Sequence, residues 1–219
     1  MKNALITGAG TGLGQSLAKQ YAKQGYHILL VGRRKEKLDE TKDLIEQAGG
    51  TAESYTCDIT KWDELEELAQ KVDQIDVLIN NAGIGYFGAF EDLEKDQIDT
   101  MLNVNAAGLI YTTKHLMPHI LTSKGRILNI VSTAGLRGKV HEAGYCASKF
   151  AQRGFTESLQ KEYEDRGISV TGVYMGGMNT PFWDGSDYVS DPSFLPSPDQ
   201  IAEQIVEQDD GRNEIVLEK

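Results

Sequence analysis

The chain has 219 residues, 40% of them apolar and 25% charged, which suits one packed α/β domain and does not indicate a disordered protein. Its net charge of −11 argues against nucleic acid and against an anionic membrane surface as partners, because both require a basic footprint. Two cysteines, Cys57 and Cys146, are too few for a disulfide framework. No apolar run approaches the ~20 residues that span a bilayer, and the N-terminus runs into a strand without a signal peptide, so we expect a cytoplasmic location.

Short apolar runs alternate along the chain with longer amphipathic segments, a pattern typical of βαβ units around a parallel sheet. The predicted strands are Ala4–Thr7, His27–Val31, Ala52–Cys57, Val77–Asn80, Arg126–Val131, Ser169–Tyr174 and Glu214–Leu217. The predicted helices are Gly14–Lys23, Lys35–Ala48, Asp63–Val72, Ile98–His119 and Gly144–Asp165. This order predicts an α/β fold with a single domain over residues 1–219: a doubly wound, Rossmann-type, seven-stranded parallel sheet with helices on both faces.

The first predicted strand runs directly into a glycine-rich loop with the spacing T-G-x-x-x-G-x-G. The loop uses Thr7, Gly8, Gly12 and Gly14, with Gly10 as a further glycine. Between a strand and a helix, such a loop presents backbone N–H groups and a helix N-terminus to a pyrophosphate. Tight strand-to-helix turns need glycine in any case, so the loop alone indicates a dinucleotide site only weakly.

Two arginines follow the second predicted strand, at the place where an acidic residue would bind the adenosine ribose of NAD. The chain has Gly32 there, then Arg33 and Arg34. Two guanidinium groups suit the 2′-phosphate of NADP, because they can bind phosphate in a bidentate manner. An ordinary solvated charge run is the alternative interpretation, but the position favours NADP(H) as the cofactor.

Tyr145 and Lys149 lie four residues apart on a predicted helix, and Ser132 stands thirteen residues before the tyrosine. Residues four apart share one helix face, which places the lysine charge one turn from the phenol. A nearby cation favours tyrosinate and lowers a phenol pKa from its ordinary value near 10, as acid–base catalysis at neutral pH requires. An isolated pair of this kind is usually a solvated surface pair, so the hypothesis depends on the rest of the chain.

A proline-rich stretch interrupts the alternation near the end of the chain. Four of the five prolines fall within residues 180–198, at the carboxyl edge of the predicted sheet, where open α/β folds bind ligands. Long loops in compact domains are usually functional, and Phe182, Trp183 and Tyr188 would be unfavourable in water. We interpret residues 180–198 as a substrate lid loop, with a plain surface excursion as the alternative.

Taken in order, these elements resemble the short-chain dehydrogenase/reductase family, in its compact single-domain form, along essentially the whole chain. The matching elements are Thr7–Gly14, Asp58, Asn80–Gly83, Asn105, Ser132, Tyr145 and Lys149. The resemblance implies an NADP-dependent oxidoreductase, either a carbonyl reductase or an alcohol dehydrogenase, acting on a small carbonyl or alcohol substrate. No metal site is predicted.

The same resemblance implies a role for each matching residue. As catalytic residues it implies Asn105, Ser132, Tyr145 and Lys149. As cofactor-binding residues it implies Gly8, Thr11, Gly12, Leu13, Gly14, Arg33, Arg34, Asp58, Ile59, Asn81, Ala82, Gly83, Tyr145, Lys149, Gly176 and Thr180. Tyr145 would be the acid of carbonyl reduction and the base of alcohol oxidation. Lys149 would bind the nicotinamide ribose and lower the tyrosine's pKa, and Ser132 would bind the carbonyl oxygen. Asn105 would distort its helix and hold a relay water.

One position departs from the family pattern. Met175 stands where a proline is common, while Gly176 and Thr180 are retained, so a fixed φ is lost and a backbone donor is restored in that loop. The resemblance also implies a homodimer or homotetramer that pairs the predicted helices Ile98–His119 and Gly144–Asp165.

The substrate is predicted only as a class. Residues on loops at the carboxyl edge suggest an apolar or aromatic carbonyl compound: Tyr86, Phe87, Leu136, His141, Met178, Phe182 and Trp183. His141 is equally consistent with a hydrogen-bonded structural histidine. Two other functions stay open: a non-catalytic NADP-binding redox sensor or regulator, which would not need the four catalytic residues together, and an acidic scaffold, which would need only the fold.

Overall fold

Seven parallel strands form one sheet in the computed structural model, which describes residues 1–184, 186 and 188–217. The strands are β1 (Asn3–Thr7), β2 (His27–Gly32), β3 (Thr51–Thr56), β4 (Val77–Asn80), β5 (Arg126–Ile130), β6 (Ser169–Met175) and β7 (Glu214–Leu217). Their order across the sheet is β3-β2-β1-β4-β5-β6-β7. The predicted doubly wound fold is confirmed, and each predicted strand end lies within one residue of the observed one.

Helices cover both faces of this sheet. They are α1 (Gly12–Lys23), α2 (Lys35–Gln47), α3 (Trp62–Lys71), α4 (Lys95–Met101), α5 (Leu109–Ser123), α6 (Ala143–Tyr163) and α7 (Pro198–Glu207). Among the helices that the structure describes, none is both long and apolar enough to cross a membrane. The predictions for α1, α2, α3 and α6 are confirmed with ends shifted by two residues or fewer.

Alternate strand residues face opposite sides of the sheet, so each side has its own apolar core. In β1, Ala4 and Ile6 belong to a core with residues of α1, α2 and α7, whereas Leu5 belongs to the core with α3, α5 and α6. Strands buried on both faces read as continuous apolar runs, which is why the short runs in the sequence located them.

The order of the strands reverses between β1 and β4. β2 and β3 are added on one side of β1, and β4 to β7 follow on the other. The loops after β1 and β4 therefore diverge at the carboxyl edge and leave a crevice, where doubly wound folds bind their ligands.

The predicted helix Ile98–His119 is wrong as one continuous α-helix. Between α4 and α5, residues Leu102–Gly108 are π-helical, with wider hydrogen-bond spacing. Asn105, in the middle of this stretch, bonds through its side chain to the backbone of Ile84 instead of to its own helix. The π-helical turns change the spacing of apolar residues too little for sequence periodicity to reveal them.

Helix α7 was missed in the sequence analysis, although its start carries a recognisable signature. The hydroxyl of Ser197 accepts a hydrogen bond from the Gln200 backbone N–H at 3.2 Å, and the Gln200 side chain accepts from the Ser197 N–H at 3.1 Å. Pro198 occupies the first helical position, where its missing N–H has no cost. This capping box starts α7 at the end of the segment 180–198, and α7 packs against α1.

Candidate active site

A cavity of about 650 Å³ opens at the carboxyl ends of β1 and β4. Its volume lies within the roughly 300–1,000 Å³ typical of small-molecule sites. The predicted site residues that line it are Gly8, Thr11, Gly12, Leu13, Arg33, Arg34, Asp58, Ile59, Asn81, Ala82, Gly83, Ser132, Tyr145, Lys149, Gly176 and Thr180. Gly14 and Asn105 are buried behind this wall, where they contact Gly8 and Ile84.

The glycine loop folds back on itself at the start of α1. Gly8 has φ +66°, a conformation that favours glycine. A Cβ atom on Gly14 would overlap the carbonyl oxygen of Gly8 and lie 2.5 Å from Asn81 Nδ2. Thr11 precedes the helix without a side-chain cap hydrogen bond, and the first turn carries no acidic residue. The N–H groups of that turn and the positive end of the helix are thus available to an anion in the cavity.

Thr7 and Asn81 hold the loops after β1 and β4 together. The Thr7 hydroxyl accepts hydrogen bonds from the backbone N–H groups of Asn81 at 3.0 Å and Ala82 at 3.1 Å. The Asn81 side chain donates to the carbonyl oxygens of Thr7 at 2.9 Å and Gly8 at 3.3 Å. Asn81 was predicted to bind the cofactor. Its side chain additionally fixes the shape of the glycine loop.

Cationic side chains border the cavity at the end of β2. Arg33 and Arg34 are exposed there, and Lys37 of α2 lines the same end. Asp58, after β3, also lines the cavity, and its carboxylate accepts hydrogen bonds from the backbone N–H and the hydroxyl of Thr60 at 3.0 and 2.8 Å. In a chain of net charge −11, this end of the cavity is locally suited to a phosphate.

Asn105 is fully buried and uses every polar atom of its side chain. Its Oδ1 accepts from the Ile84 N–H at 2.8 Å, and its Nδ2 donates to the Ile84 carbonyl at 2.8 Å and the Ser148 hydroxyl at 2.9 Å. These bonds fix the loop after β4 against α6. The backbone carbonyl of Asn105 accepts a further bond from Gln152 Nε2 at 2.6 Å.

Ser132 lies in strained backbone after β5. Its φ of +100° is rare outside glycine, and strain of this kind clusters at functional sites. Its hydroxyl accepts from the Ala134 N–H at 3.2 Å. The same hydroxyl is within hydrogen-bonding reach of the Tyr145 phenol, and this interaction lowers the tyrosine's pKa.

Tyr145 is buried beneath neighbouring side chains, with 8% of its surface exposed. Burial raises the pKa of its phenol above the ordinary value of 10.0, the Ser132 hydroxyl lowers it, and Glu142 and Cys146 raise it. The expected net lowering by Lys149 is wrong for this conformation. The Lys149 nitrogen lies 5.6 Å from the ring centroid, and loss of water around the phenolate outweighs any attraction.

Lys149 is also buried, and burial lowers the pKa of its ammonium group from 10.5 to about 7. Its Nζ donates to the carbonyl oxygen of Ile130 at 3.1 Å and to Oε1 of Gln152 at 2.8 Å. Neither acceptor carries a charge, so these bonds offset only part of the cost of burying the ammonium.

Four rings, which we call the aromatic cluster, pack together beside Tyr145: Phe87, Phe182, Trp183 and Tyr188. The ring centroid of Phe87 lies 5.3 Å from that of Tyr145 and 4.8 Å from that of Tyr188, on which it stacks. The Phe182 ring lies 6.0 Å from Tyr145 and 5.1 Å from Trp183. Phe182 therefore brings the start of the segment 180–198 against the predicted proton donor.

Five of the seven predicted substrate contacts line the cavity: Tyr86, Phe87, Met178, Phe182 and Trp183. Leu136 and His141 lie outside it. His141 is exposed in the turn before α6, with φ +62°, and its carbonyl oxygen accepts from the Gly88 N–H at 3.0 Å. Met175, the departure from the family pattern, is buried and continues β6 in register with Leu217 of β7.

A family model described as short chain dehydrogenase matches residues 2–187. The chain belongs to the short-chain dehydrogenase/reductase family. A fatty acyl-CoA reductase of Acinetobacter baylyi is 38% identical over 192 residues, covering 82% of this chain but only 63% of that relative, less than two thirds of its length.

Two solved structures are also similar to this short-chain dehydrogenase. The alcohol dehydrogenase from the archaeon Thermococcus sibiricus, complexed with 5-hydroxy-NADP, has a TM-score of 0.90 at 28% identity and covers 99% of this chain and 96% of its own. A single-residue variant of actinorhodin polyketide ketoreductase with NADPH has a TM-score of 0.86 at 31% identity, covering 94% and 89%.

Gln152 of this short-chain dehydrogenase was not among the site residues predicted from the sequence. The buried stripe of α6 contains Tyr145, Ser148, Lys149, Gln152 and Thr156, at the three- and four-residue spacing of one helix face. A glutamine in such a stripe must find hydrogen-bond partners inside the protein. That polar residue on a buried face was the signal available in the sequence.

Proposed function

We propose that this short-chain dehydrogenase transfers a hydride between NADP(H) and a small apolar or aromatic carbonyl compound or alcohol. The observation that carries the proposal is the meeting of Ser132, Tyr145 and Lys149 in the cavity that the glycine loop lines. Carbonyl reduction needs a proton donor, a group that binds the developing negative charge and a site for the nicotinamide donor in one place.

The residues of the cavity fit a phosphorylated dinucleotide. The start of α1 offers uncapped N–H groups for a pyrophosphate, and exposed Arg33 and Arg34 are available for a 2′-phosphate. Gly83 lies between Asn105 and Lys149, where a Cβ atom would come within 3.3 Å of Asn105 Oδ1 and 3.7 Å of the lysine nitrogen. The NADPH of the ketoreductase and the 5-hydroxy-NADP of the archaeal enzyme support the choice of NADP(H). The bound cofactor supplies or accepts the hydride.

Three side chains would handle the substrate oxygen and its proton. The Ser132 hydroxyl would donate to the carbonyl oxygen as negative charge develops there, and the Tyr145 phenol would transfer its proton to the same oxygen. The Lys149 ammonium would stabilise the tyrosinate that remains. Asn105 would act indirectly in this proposal, because the hydrogen bonds of its side chain to Ile84 and Ser148 fix the wall of the site.

The aromatic cluster supports an apolar or aromatic substrate. Phe87 and Phe182 pack against Tyr145, so a substrate whose carbonyl group reaches the phenol would place its remaining atoms beside these rings. We propose residues 180–198 as the lid that admits and encloses it, because Phe182 and Trp183 contribute two of these rings. Gly185 and Asp187 of this segment lie outside the described residues.

We further propose a homodimer or homotetramer in the cytoplasm, with neither nucleic acid nor membrane as partner. Apolar side chains are exposed on the helices expected to pair: Ile110 on α5 is 36% exposed, Phe150 on α6 is 43% exposed and Leu102 before α5 is 40% exposed. Interfaces between subunits bury surface of this kind. The net charge of −11 argues against nucleic acid and against an anionic membrane surface as partners.

The decisive experiment measures NADPH oxidation against a panel of aliphatic and aromatic aldehydes and ketones, with NADH in parallel. The wild type should reduce apolar carbonyl compounds. The variant Tyr145→Phe should lose about 10²–10⁴-fold in turnover, the usual contribution of a general acid, while its NADPH affinity stays nearly unchanged. Tight NADPH binding without turnover of any substrate would instead favour the redox sensor, and an unaffected Tyr145→Phe variant would place the proton donor elsewhere.

A further inference from the structure

Gln152 forms a bridge inside the protein that the proposed mechanism does not use. It lies one turn after Lys149 on α6 and is 1% exposed. Its Oε1 accepts from the Lys149 ammonium at 2.8 Å, and its Nε2 donates to the backbone carbonyl of Asn105 at 2.6 Å. One side-chain amide therefore connects the lysine of α6 with the π-helical stretch.

The chemistry of the two partners fixes the orientation of this amide. An ammonium group can only donate and a backbone carbonyl can only accept, so the amide oxygen must face Lys149 and the amide nitrogen must face Asn105. A glutamate at this position would bring a second oxygen against the Asn105 carbonyl. A methionine of similar length would offer neither a donor nor an acceptor. Glutamine thus satisfies both hydrogen-bond partners, whereas glutamate and methionine, side chains of similar size, do not.

We propose that Gln152 is the positioning residue of Lys149, holding the ammonium so that its remaining N–H points into the cavity, an inference that rests on the proposed function. An ammonium has three N–H donors, and two are taken by Gln152 and the Ile130 carbonyl. The lysine itself lines the cavity. The third donor is therefore the one left for a ligand beside Tyr145.

The bridge is held rigidly from below. The Thr156 hydroxyl donates to the backbone carbonyl of Gln152 at 2.7 Å and accepts from the Asn129 side chain at 2.9 Å. Asn129 in turn accepts from Asn80 of β4 at 2.9 Å. All of these side chains are buried, so the chain of bonds fixes the height of α6 above the sheet.

The groups that face Lys149 make its titration a readout of the bridge. β5 offers the neutral carbonyl of Ile130, and α6 offers the neutral amide of Gln152 and the phenol of Tyr145, with Glu142 and Cys146 beside that phenol. The Asn105 carbonyl of the π-helical stretch accepts from Gln152 on the far side of the amide. Tyr86 and Asp58 line the same cavity from the loops after β4 and β3. Burial is the cause that lowers the lysine's pKa, and the bond that Lys149 donates to Gln152 opposes it by favouring the charged form.

The experiment follows the ¹³Cε resonance of Lys149 against pH in cofactor-free protein, assigned by its absence from Lys149→Met. In Gln152→Met the lost hydrogen bond should lower the lysine's pKa by about one to two pH units. In Gln152→Glu a carboxylate faces the ammonium and should raise it. The alkaline limb of the kcat profile for carbonyl reduction should move in the same two directions. Above the pKa, each unit of lowering reduces the ammonium fraction about tenfold.

Gln160→Met is the matched control, because Gln160 also lies on α6 and donates to two backbone carbonyls, of Val170 at 2.9 Å and Asn213 at 2.8 Å, away from the cavity. It should leave the Lys149 titration unchanged. If neither Gln152 variant folds, the wild type decides: the side-chain ¹⁵N resonance of Gln152 should shift as Lys149 titrates, and a resonance indifferent to that titration overturns the proposal.

The two proposals can fail separately. Titration shifts in opposite directions without any carbonyl turnover would retain Gln152 as the positioning residue of Lys149 and reject the proposed function. Turnover by the wild type, with a lysine titration that stays fixed or moves in one direction in both Gln152 variants, would overturn the inference and leave the proposed function standing.

Discussion

Replacing Lys149 by methionine should stabilise the cofactor-free protein at neutral pH and remove part of its pH dependence. The folded-state pKa of the lysine is lowered to about 7 from 10.5 by burial. Between these two values the unfolded chain binds more protons than the folded one, so the free energy of unfolding rises with pH through this window. The variant lacks the group and lacks that rise.

The size of the effect follows from the same two pKa values. Between pH 7 and pH 9, Lys149 should add about 2 kcal/mol to the free energy of unfolding of the wild type, and at pH 7 its burial costs about 4 kcal/mol relative to high pH. Methionine leaves Gln152 Oε1 without a donor, which costs about 1–3 kcal/mol at every pH. The change with pH is therefore a cleaner measure of the lysine than the stability at one pH.

Urea unfolding followed by circular dichroism at pH 7 and pH 9, without cofactor, measures both quantities. Groups that titrate in all variants cancel when Lys149→Met is compared with the wild type. Lys114→Met, at an exposed position of α5, is the matched control and should keep the wild-type pH dependence. If Lys149→Met and the wild type change equally between the two pH values, the buried lysine titrates outside this window and the reasoning is refuted. Carbonyl reduction by Lys149→Met should be lost in either case.

Three further predictions concern the cofactor, the lid and the assembly. In a fluorescence titration, the double variant Arg33→Ala with Arg34→Ala should bind NADPH about ten- to a hundredfold more weakly and NADH with unchanged affinity. Equal use of both cofactors by the wild type would contradict the predicted preference for NADP(H). Residues 180–198 should exchange amide hydrogens quickly in the free protein and slowly in the ternary complex, and equal protection in both states would identify a fixed wall. The wild type should sediment as a dimer or tetramer at micromolar concentration, and the double variant Ile110→Glu with Phe150→Glu should sediment as a smaller species. Leu44→Glu, at an exposed position of α2, is the control and should sediment like the wild type. A monomeric wild type would refute the prediction.

The strands and the overall topology could be predicted because each depends on a local signal. Strands buried on both faces appear as continuous apolar runs, and the glycines of the first loop mark a turn that other residues do not fit. The alternation of strands and helices then leaves few ways of connecting a parallel sheet. The location of the cavity follows, because the fold itself places the crevice at the ends of β1 and β4.

The finer parts of the site depend on contacts between residues far apart in the chain. The π-helical stretch is held through the bonds between Asn105 and Ile84, twenty-one residues apart. Hydrophobic periodicity did not predict it, and only the family resemblance implied a helix distorted at Asn105. Burial raises the pKa of Tyr145, and the rings of Phe87 and Phe182 that pack against it come from distant parts of the chain. Spacing on α6 correctly placed Lys149 one turn from Tyr145, but burial, which spacing does not report, dominates both pKa values.

The buried face of α6 shows why a protein would accept such costs. Helix α3 presents leucines to the sheet, and α5 presents leucine, methionine and isoleucine together with the buried Thr112 and Thr113. Near the cavity, α6 presents a more polar face: Tyr145, Ser148, Lys149, Gln152 and Thr156. Apolar side chains can slide past one another with little penalty, but a displaced polar side chain leaves a buried donor or acceptor unpaired, at about 1–3 kcal/mol each. Ser148, Lys149, Gln152 and Thr156 each form hydrogen bonds with a specific residue of the π-helical stretch, of β5 or of α6 itself. A shift of α6 by one turn would break several of them together. The polar face therefore specifies the position of the phenol and the ammonium over the cavity, which an apolar face of equal area would leave less well defined.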